Sequence, residues 1–251
     1  MVRYGTARLP DGLRIYAIGD VHGELAQLKA LHTAIDADLR AHPVPDWRVI
    51  HLGDLIDRGP DSAGVLALLS ALDPGRYLCV CGNHDAYLRN FLADPEDAGF
   101  SNWQTYGGQE ALASFGLDVA LIREGPRREI HQALEAAIPA AARRYLEDLP
   151  DKLRFGDFGF AHAGVRPGVG WEAQEQGDLH WIRHTFLDHA GLHDVFVVHG
   201  HTPARGVDLR ANRVNVDTGA GKGGPLSCIV IEGAEIAVLN GPDRVALTPA
   251  A

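Results

Sequence analysis

Six short apolar runs in this chain end in the same way, and that repetition limits what it can fold into. LRIYAIGD (13–20) closes on Asp20, RVIHLGD (48–54) on Asp54 and YLCVCGN (77–83) on Asn83. FGFAHAG (158–164) carries His162, VFVVHGH (195–201) carries His199 and His201, and RVNVDTG (213–219) carries Asp217. Runs of this length, rich in Val, Ile, Phe and Tyr, read as buried strands. In open α/β sheets polar groups gather beyond the carboxyl ends of strands, where loops reach solvent from a rigid base. Glycines such as Gly53 and Gly59 let the backbone turn sharply there.

Two segments between these runs have helical periodicity. ELAQLKALHTAIDADLR (24–40) spaces Leu25, Leu28, Leu31 and Ile35 along one face, and DSAGVLALLSAL (61–72) does so more briefly. Both read as crossover helices, which places the chain in the α/β class. Residues 86–149 hold no clear strand but contain EIHQALEAAIPAAARRYLEDL (129–149). Residues 86–149 read as a helical cap or insertion, in which Trp103 and Tyr106, beside Gly107 and Gly108, either rim a substrate pocket or equally serve as packing residues. LSCIVIEG (226–233) and EIAVLNG (235–241) read as a hairpin around Gly233 and Ala234. One domain spanning residues 1–251 accounts for the pattern.

Composition removes several function classes. With 23 Lys+Arg against 33 Asp+Glu and a net charge of −10, the basic footprint of a duplex-binding protein is missing, so nucleic acid is not expected as a partner. Cys79, Cys81 and Cys228 are an odd number and read as reduced core residues. No stretch approaches the roughly 18 apolar residues of a membrane span, and no basic segment leads into an apolar run. A cytoplasmic protein without a membrane partner is expected.

If the strands present their ends at one edge, Asp20, His22, Asp54, Asn83, His162 and His201 converge. Two carboxylates, an amide oxygen and three imidazoles form a mixed O/N set that suits Mn, Fe or Zn and is too rich in histidine for Ca. Six donors exceed what one catalytic ion with an open position requires. Two ions sharing a carboxylate fit better.

The motifs themselves carry a resemblance. GDVHG (19–23), GDLIDRG (53–59), GNHD (82–85), HAG (162–164) and GHTP (200–203) resemble, in order, the signature blocks of the metallophosphoesterase superfamily. More narrowly they resemble the phosphoprotein phosphatase family of bacterial and phage serine/threonine phosphatases. NWQTYGGQEALASFG (102–116) and LHWIRHTFL (179–187) also resemble bacterial members. The resemblance spans about residues 14–233 and implies a calcineurin-like metallophosphatase fold: a central mixed β-sandwich flanked by helices, with a helical insertion.

Residue by residue, the resemblance implies that Asp20 and His22 bind one metal and that Asn83, His162 and His201 bind the other. Asp54 bridges the two, which are Mn²⁺ or, as alternatives, Fe or Zn. It implies direct attack on phosphorus by a metal-bridging hydroxide, with Asn83, Arg58 and Arg183 on the phosphoryl oxygens. His84 becomes the acid for the leaving alkoxide, oriented by Asp57. The implied substrate is phosphoserine or phosphothreonine in a phosphoprotein or phosphopeptide.

Two departures bear on substrate. GNHD replaces the GNHE of protein phosphatases and also occurs in dinucleoside tetraphosphatases, so hydrolysis of a diadenosine tetraphosphate-type substrate is the alternative. Pro203 in GHTP stands where some branches carry another histidine, leaving the first metal three protein ligands. A catalytically silent phospho-ligand binding module is the alternative of another class, and the intact donor set opposes it.

Outside these blocks, His32, His42, His131, His189 and His193 read as surface or helix residues and His51 as part of the second strand. His199 reads as a donor supporting a ligand from behind or as a core residue, the first being favoured. Asp217 either orients a ligand histidine or ends its strand. Spacing assigns no role to His180 or His184.

Overall fold

Strand β1 (Leu13–Ile18) shows why the chain builds layers, because all six of its residues are buried. In this computed structural model, which describes residues 1–241 and 243–249, Ile15 and Ala17 face one apolar cluster and Tyr16 and Ile18 another. A period-two strand apolar on both faces needs cover on both.

After β1 come β2 (Asp46–His51), β3 (Tyr77–Cys79), β4 (Lys152–Phe155), β5 (Phe158–Ala161) and β6 (Phe196–His199). The remaining strands are β7 (Asp208–Leu209), β8 (Arg213–Asn215), β9 (Cys228–Glu232), β10 (Glu235–Asn240) and β11 (Asp243–Ala246). They form two mixed sheets, ordered β11-β10-β9-β1-β2-β3 and β4-β5-β6-β8-β7. β1, β2 and β3 run parallel in the first sheet, and β5, β6 and β8 run parallel in the second. These six strands carry the polar ends read from the sequence.

Between the sheets, Ile15, Ala17 and Ile50 pack against Phe158, Phe160 and Val198. Helices α1 (Leu25–Ala41) and α2 (Ser62–Leu69) cover the outer face of the first sheet. Residues 83–147 hold α3 (Asn83–Ala93), α4 (Phe100–Trp103), α5 (Gln109–Ser114), α6 (Val119–Glu124), α7 (Arg127–Ala137) and α8 (Ala140–Glu147), with a π turn at Gln104–Gly108. Phe91, Trp103, Leu112 and Leu134 from these helices join the cluster that buries Tyr16. Each is fully buried, and at roughly 1.5–3 kcal/mol per side chain they bind the helices to the sheet layer. Short helices α9 (Gln176–Trp181) and α10 (His184–Leu187) follow β5, and Leu179 and Phe186 pack with Trp171 and Val197 in a third cluster.

The hairpin of β9 and β10 lies where the sequence placed it. β4 and β11 were not read from the sequence. Both sit at sheet edges, where half-exposed residues such as those of KLRF blur the period-two signal. His131 lies on helix α7, as one of its two readings had it, with its ring buried on Phe91 (centroids 5.3 Å apart), whereas His193, read as a surface or helix residue, is instead buried against Phe186 (5.5 Å). His51 ends β2, hydrogen-bonded through Nδ1 to the Leu78 carbonyl. The three cysteines are free and buried. Among the described residues no helix is long and apolar enough to cross a membrane.

Candidate metal centre

The loops that leave the parallel strands are held in unusual backbone conformations. Among the described residues, five that are not glycine have positive φ: His22 (45°), Asp54 (48°), Asp57 (75°), Arg58 (65°) and His201 (69°). Each such conformation costs about 1–3 kcal/mol and persists where its surroundings over-determine it. All five belong to the motif blocks.

One close approach sets the geometry between β2 and β3. At Gly53, with φ of 89°, a Cβ would stand 2.6 Å from the Gly82 backbone nitrogen, so only glycine fits. The Asp85 carboxylate ties the same loops, accepting from Leu55 N at 2.9 Å through Oδ1 and from Gly82 N at 2.9 Å through Oδ2. These contacts bring Asp54 beside the N-terminus of α3, where the His84 amide donates to Asp54 Oδ1 at 2.9 Å.

The imidazoles arrive with their tautomers set. His22 and His162 direct Nδ1 at the carbonyls of Ile56 (2.9 Å) and Leu52 (2.8 Å), which leaves each Nε2 free as a ligand atom. His22 Nε2 is 3.6 Å from Asp54 Oδ2, and His162 Nε2 is 3.3 Å from Asp54 Oδ1. His162 Nε2 also lies 3.0 Å from Asn83 Oδ1 and 3.1 Å from His201 Nδ1. Asp54 therefore belongs to two buried clusters, with His22 and His84 on one side and His162 and His201 on the other. In each, the donor atoms lie within 4.8 Å of one another. The Asp20 carboxylate accepts from the His201 amide at 3.0 and 3.1 Å. A Cβ on Gly200 would stand 2.1 Å from Asp20 Oδ1, so a side chain there would push the carboxylate aside.

Electrostatics follow from burial. Loss of hydration pushes His22 down to about 3 and, with the neighbouring His162, pushes His201 down to about 2, so both rings are neutral with lone pairs available. Burial opposes charge on Asp54 as well, but His162, His84 and His22 outweigh it and hold the carboxylate well below its ordinary range. Burial, then Asp217 and Asp54, raise Asp20 well above that range. Burial works against a charge on His162, but Asp54 and then Asp20 outweigh it and push the ring up to about 10, so it carries the positive charge that divalent cations would supply in its place. The donor set fits a pair of divalent cations, which would let Asp20 and Asp54 ionise together.

Beside this set, His84 Nδ1 lies 2.5 Å from Asp57 Oδ2. The Trp103 indole donates to both Asp57 oxygens at 2.9 and 3.0 Å. Arg58 reaches His22 Nε2 at 2.7 Å through one terminal nitrogen and His84 Nε2 at 3.0 Å through the other. From the opposite side Arg183 Nε is 3.1 Å from His201 Nε2. Next to Arg58 opens a groove of about 730 Å³ lined by Gln104, Tyr106, Gly107, Gln109 and Lys222.

A family model described as calcineurin-like phosphoesterase matches residues 13–224. The chain belongs to that family. Serine/threonine-protein phosphatase 1 of Salmonella typhimurium (strain LT2) is 30% identical over 227 residues, covering 87% of this chain and 92% of the relative. The asymmetrical bis(5'-nucleosyl)-tetraphosphatase PrpE of Anoxybacillus flavithermus is 27% identical over 240 residues, covering 84% and 88%. A crystal structure of a candidate diadenosine tetraphosphatase superposes with a TM-score of 0.62 at 25% identity, covering 94% of this chain and 98% of that one.

For several residues of this calcineurin-like phosphoesterase the structure decides between readings that the sequence left open. Trp103 does not rim a pocket: it is fully buried with its indole on Asp57, while Tyr106 is exposed at the groove. His199 does not support a ligand. Its ring packs on Phe186 with centroids 5.0 Å apart, and its Nε2 is buried without a partner. Asp217 accepts from the Gly219 amide at 2.9 Å and closes its turn. Asp85, which entered the sequence reading only as the last residue of GNHD, fixes the loops that carry Asp54 and Asn83. Its position three residues after Gly82, reaching back to that amide, was the signal available.

Proposed function

We propose that this chain is a metal-dependent phosphomonoesterase that hydrolyses phosphoserine and phosphothreonine in proteins, working with Mn²⁺. When bound, two divalent cations supply an activated water and neutralise phosphoryl oxygens. Asp20 and His22 would hold one, Asn83, His162 and His201 the other, and Asp54 both. Arg58 and Arg183 approach from opposite sides, so their planar guanidinium groups can grip the phosphoryl oxygens as charge moves onto them. His84 presents Nε2 beside Arg58 and holds the proton that the departing serine or threonine oxygen needs.

The observation that carries this reading is the buried His84–Asp57 pair. An alkoxide leaves poorly without a proton, so an imidazole kept charged by a carboxylate suits an alkyl phosphate. A phosphoanhydride releases a phosphate that is already a stable anion and needs such an acid less. The Salmonella protein phosphatase, aligned over most of both chains, supports the same reading.

One observation favours a second reading, a dinucleoside tetraphosphate hydrolase. Trp181 is 43% exposed, packs edge-on against Tyr87 with centroids 5.5 Å apart and stands 6.1 Å from the His201 ring. A nucleobase can stack on such a surface, and the tetraphosphatase relatives agree with it. Turnover of a phosphoserine peptide and of diadenosine tetraphosphate, at equal concentration with Mn²⁺, separates the two. Faster turnover of the peptide is expected, and faster turnover of the dinucleotide would replace the first reading with the second.

A further inference from the structure

Behind the His162 side of the metal centre, three side chains of different chemistry meet without a part in the reaction above. Cys81 follows β3, Asp151 precedes β4 and His180 lies on α9. Their donor atoms all lie within 4.8 Å of one another. Cys81 is fully buried and His180 nearly so, while the Asp151 side chain is one-third exposed at 33% and gives the cluster a route to solvent. His180 Nε2 lies 2.9 Å from Asp151 Oδ1, and Gln176 Nε2 donates to the two carboxylate oxygens at 3.0 and 3.2 Å. The Cys81 amide donates to the Pro150 carbonyl at 2.8 Å, which fixes the thiol beside the aspartate.

We propose that Cys81, Asp151 and His180 form a third metal site, distinct from the dinuclear centre, that takes a thiophilic divalent ion such as Zn²⁺. A sulfur, an imidazole nitrogen and a carboxylate oxygen are three tetrahedral zinc ligands of different types, with the fourth position left to water. Sulfur sets the selectivity, because thiolate favours Zn²⁺ over Mn²⁺, whereas the O/N set around Asp54 accepts either. On binding, the ion displaces the Cys81 thiol proton to solvent past the partly exposed Asp151, and the resulting thiolate and the carboxylate bring two negative charges to a divalent cation. Arg89 lies close enough to act on both Cys81 and His180, so a site without those two charges would repel a cation. The ion takes the place of the hydrogen between Nε2 and Oδ1, while Gln176 continues to orient Asp151.

The site also touches the reaction centre through the backbone. Cys81 stands two residues before Asn83, and the Leu179 carbonyl of α9 accepts from the amide of Ala163, the residue after His162, at 2.8 Å. An ion held here ties together the segments that position Asn83 and His162.

Co²⁺ is the probe, added to the full chain already saturated with Mn²⁺. One equivalent should produce a thiolate-to-Co²⁺ charge-transfer band that disappears in Cys81→Ser and survives in Cys79→Ser and in Asp54→Asn. Zn²⁺ at one equivalent should abolish the band, and excess Mn²⁺ should not. Absence of the band in the unmodified chain, its survival in Cys81→Ser, or its loss to Mn²⁺ would overturn the site. Should Cys81→Ser fail to fold, His180→Gln and Asp151→Asn decide the matter by competition with a chromophoric chelator. Each should weaken Zn²⁺ binding by at least about tenfold, and unchanged affinity in both would overturn the assignment.

Discussion

Nδ1 of His84 lies 2.5 Å from Oδ2 of Asp57, with side-chain exposures of 4% and 0%. Burial works against a charged His84, but Asp54 and Asp57 outweigh it and raise its pKa. That shift moves the imidazole toward the protonated form that an acid must offer. His84→Asn should slow hydrolysis of a phosphoserine peptide by roughly the 10²- to 10⁴-fold typical of general acid catalysis. p-Nitrophenyl phosphate should suffer less, because its leaving group departs without much help. The check is kcat for both substrates with metal content measured alongside, and equal fractional losses at full metal occupancy would remove His84 from proton delivery.

The indole of Trp103 reaches Asp57 from α4, across 46 residues of sequence. Trp103→Phe keeps most of the packing and removes the donor, leaving a buried carboxylate with one partner fewer. Stability should fall by about 1–3 kcal/mol, read as a lower urea midpoint with an unchanged slope. An unchanged midpoint would show that the bond carries no net stabilisation.

Asp54 is shared by both donor clusters, whereas Asp20 belongs to neither and accepts from the His201 amide. Asp54→Asn should therefore lose more bound Mn²⁺ and more activity than Asp20→Asn, measured by metal analysis after dialysis. Equal metal content in unmodified protein and Asp54→Asn would show that the bridge is misassigned. Chelator treatment of the unmodified protein should abolish activity, and added Mn²⁺ should restore it.

Gly53→Ala tests the loop contact. The added methyl would meet backbone, which cannot swing aside, at a residue with φ of 89°. A drop in thermal midpoint together with weakened metal binding is expected, because the clash separates the loops of Asp54 and Asn83. Unchanged values for both would show that the approach is not required.

Acid sensitivity should trace in part to a buried network far from the metals. Asp38 on α1 accepts two bonds from Arg244, both 2.7 Å, and one from the Tyr16 hydroxyl at 2.5 Å. Burial alone would raise its pKa, but these partners and Arg14 outweigh it and hold the carboxylate below its ordinary value. A depressed folded pKa contributes stability above the unfolded pKa of about 4 and loses it as pH falls through the folded value. Metal-free Asp38→Asn should be less stable than the unmodified protein at pH 7, with the gap closing in acid. Thermal midpoints at a series of pH values check this, and a constant gap would contradict it.

What was legible in the sequence was whatever depends on neighbours along the chain. Period-two apolar runs marked β1, β2 and β6, glycines marked their exits, and the residues beyond those exits, Asp54 and His201 among them, stood in motif blocks that pointed to the family. The edge strands β4 and β11 escaped because half-solvated strands have no clean alternation. Trp103 on Asp57, the Asp85 tie between loops and the meeting of Cys81, Asp151 and His180 depend on residues brought together only when the helices and the second sheet pack against the first. His199 shares its strand's exit with His201 but points into the layer around Phe186. Residues two apart share a face of a continuous strand, but β6 ends at His199 and the positive φ of His201 (69°) breaks the alternation, so the turn after the strand, held by the packed layers, decides which ring meets the metals.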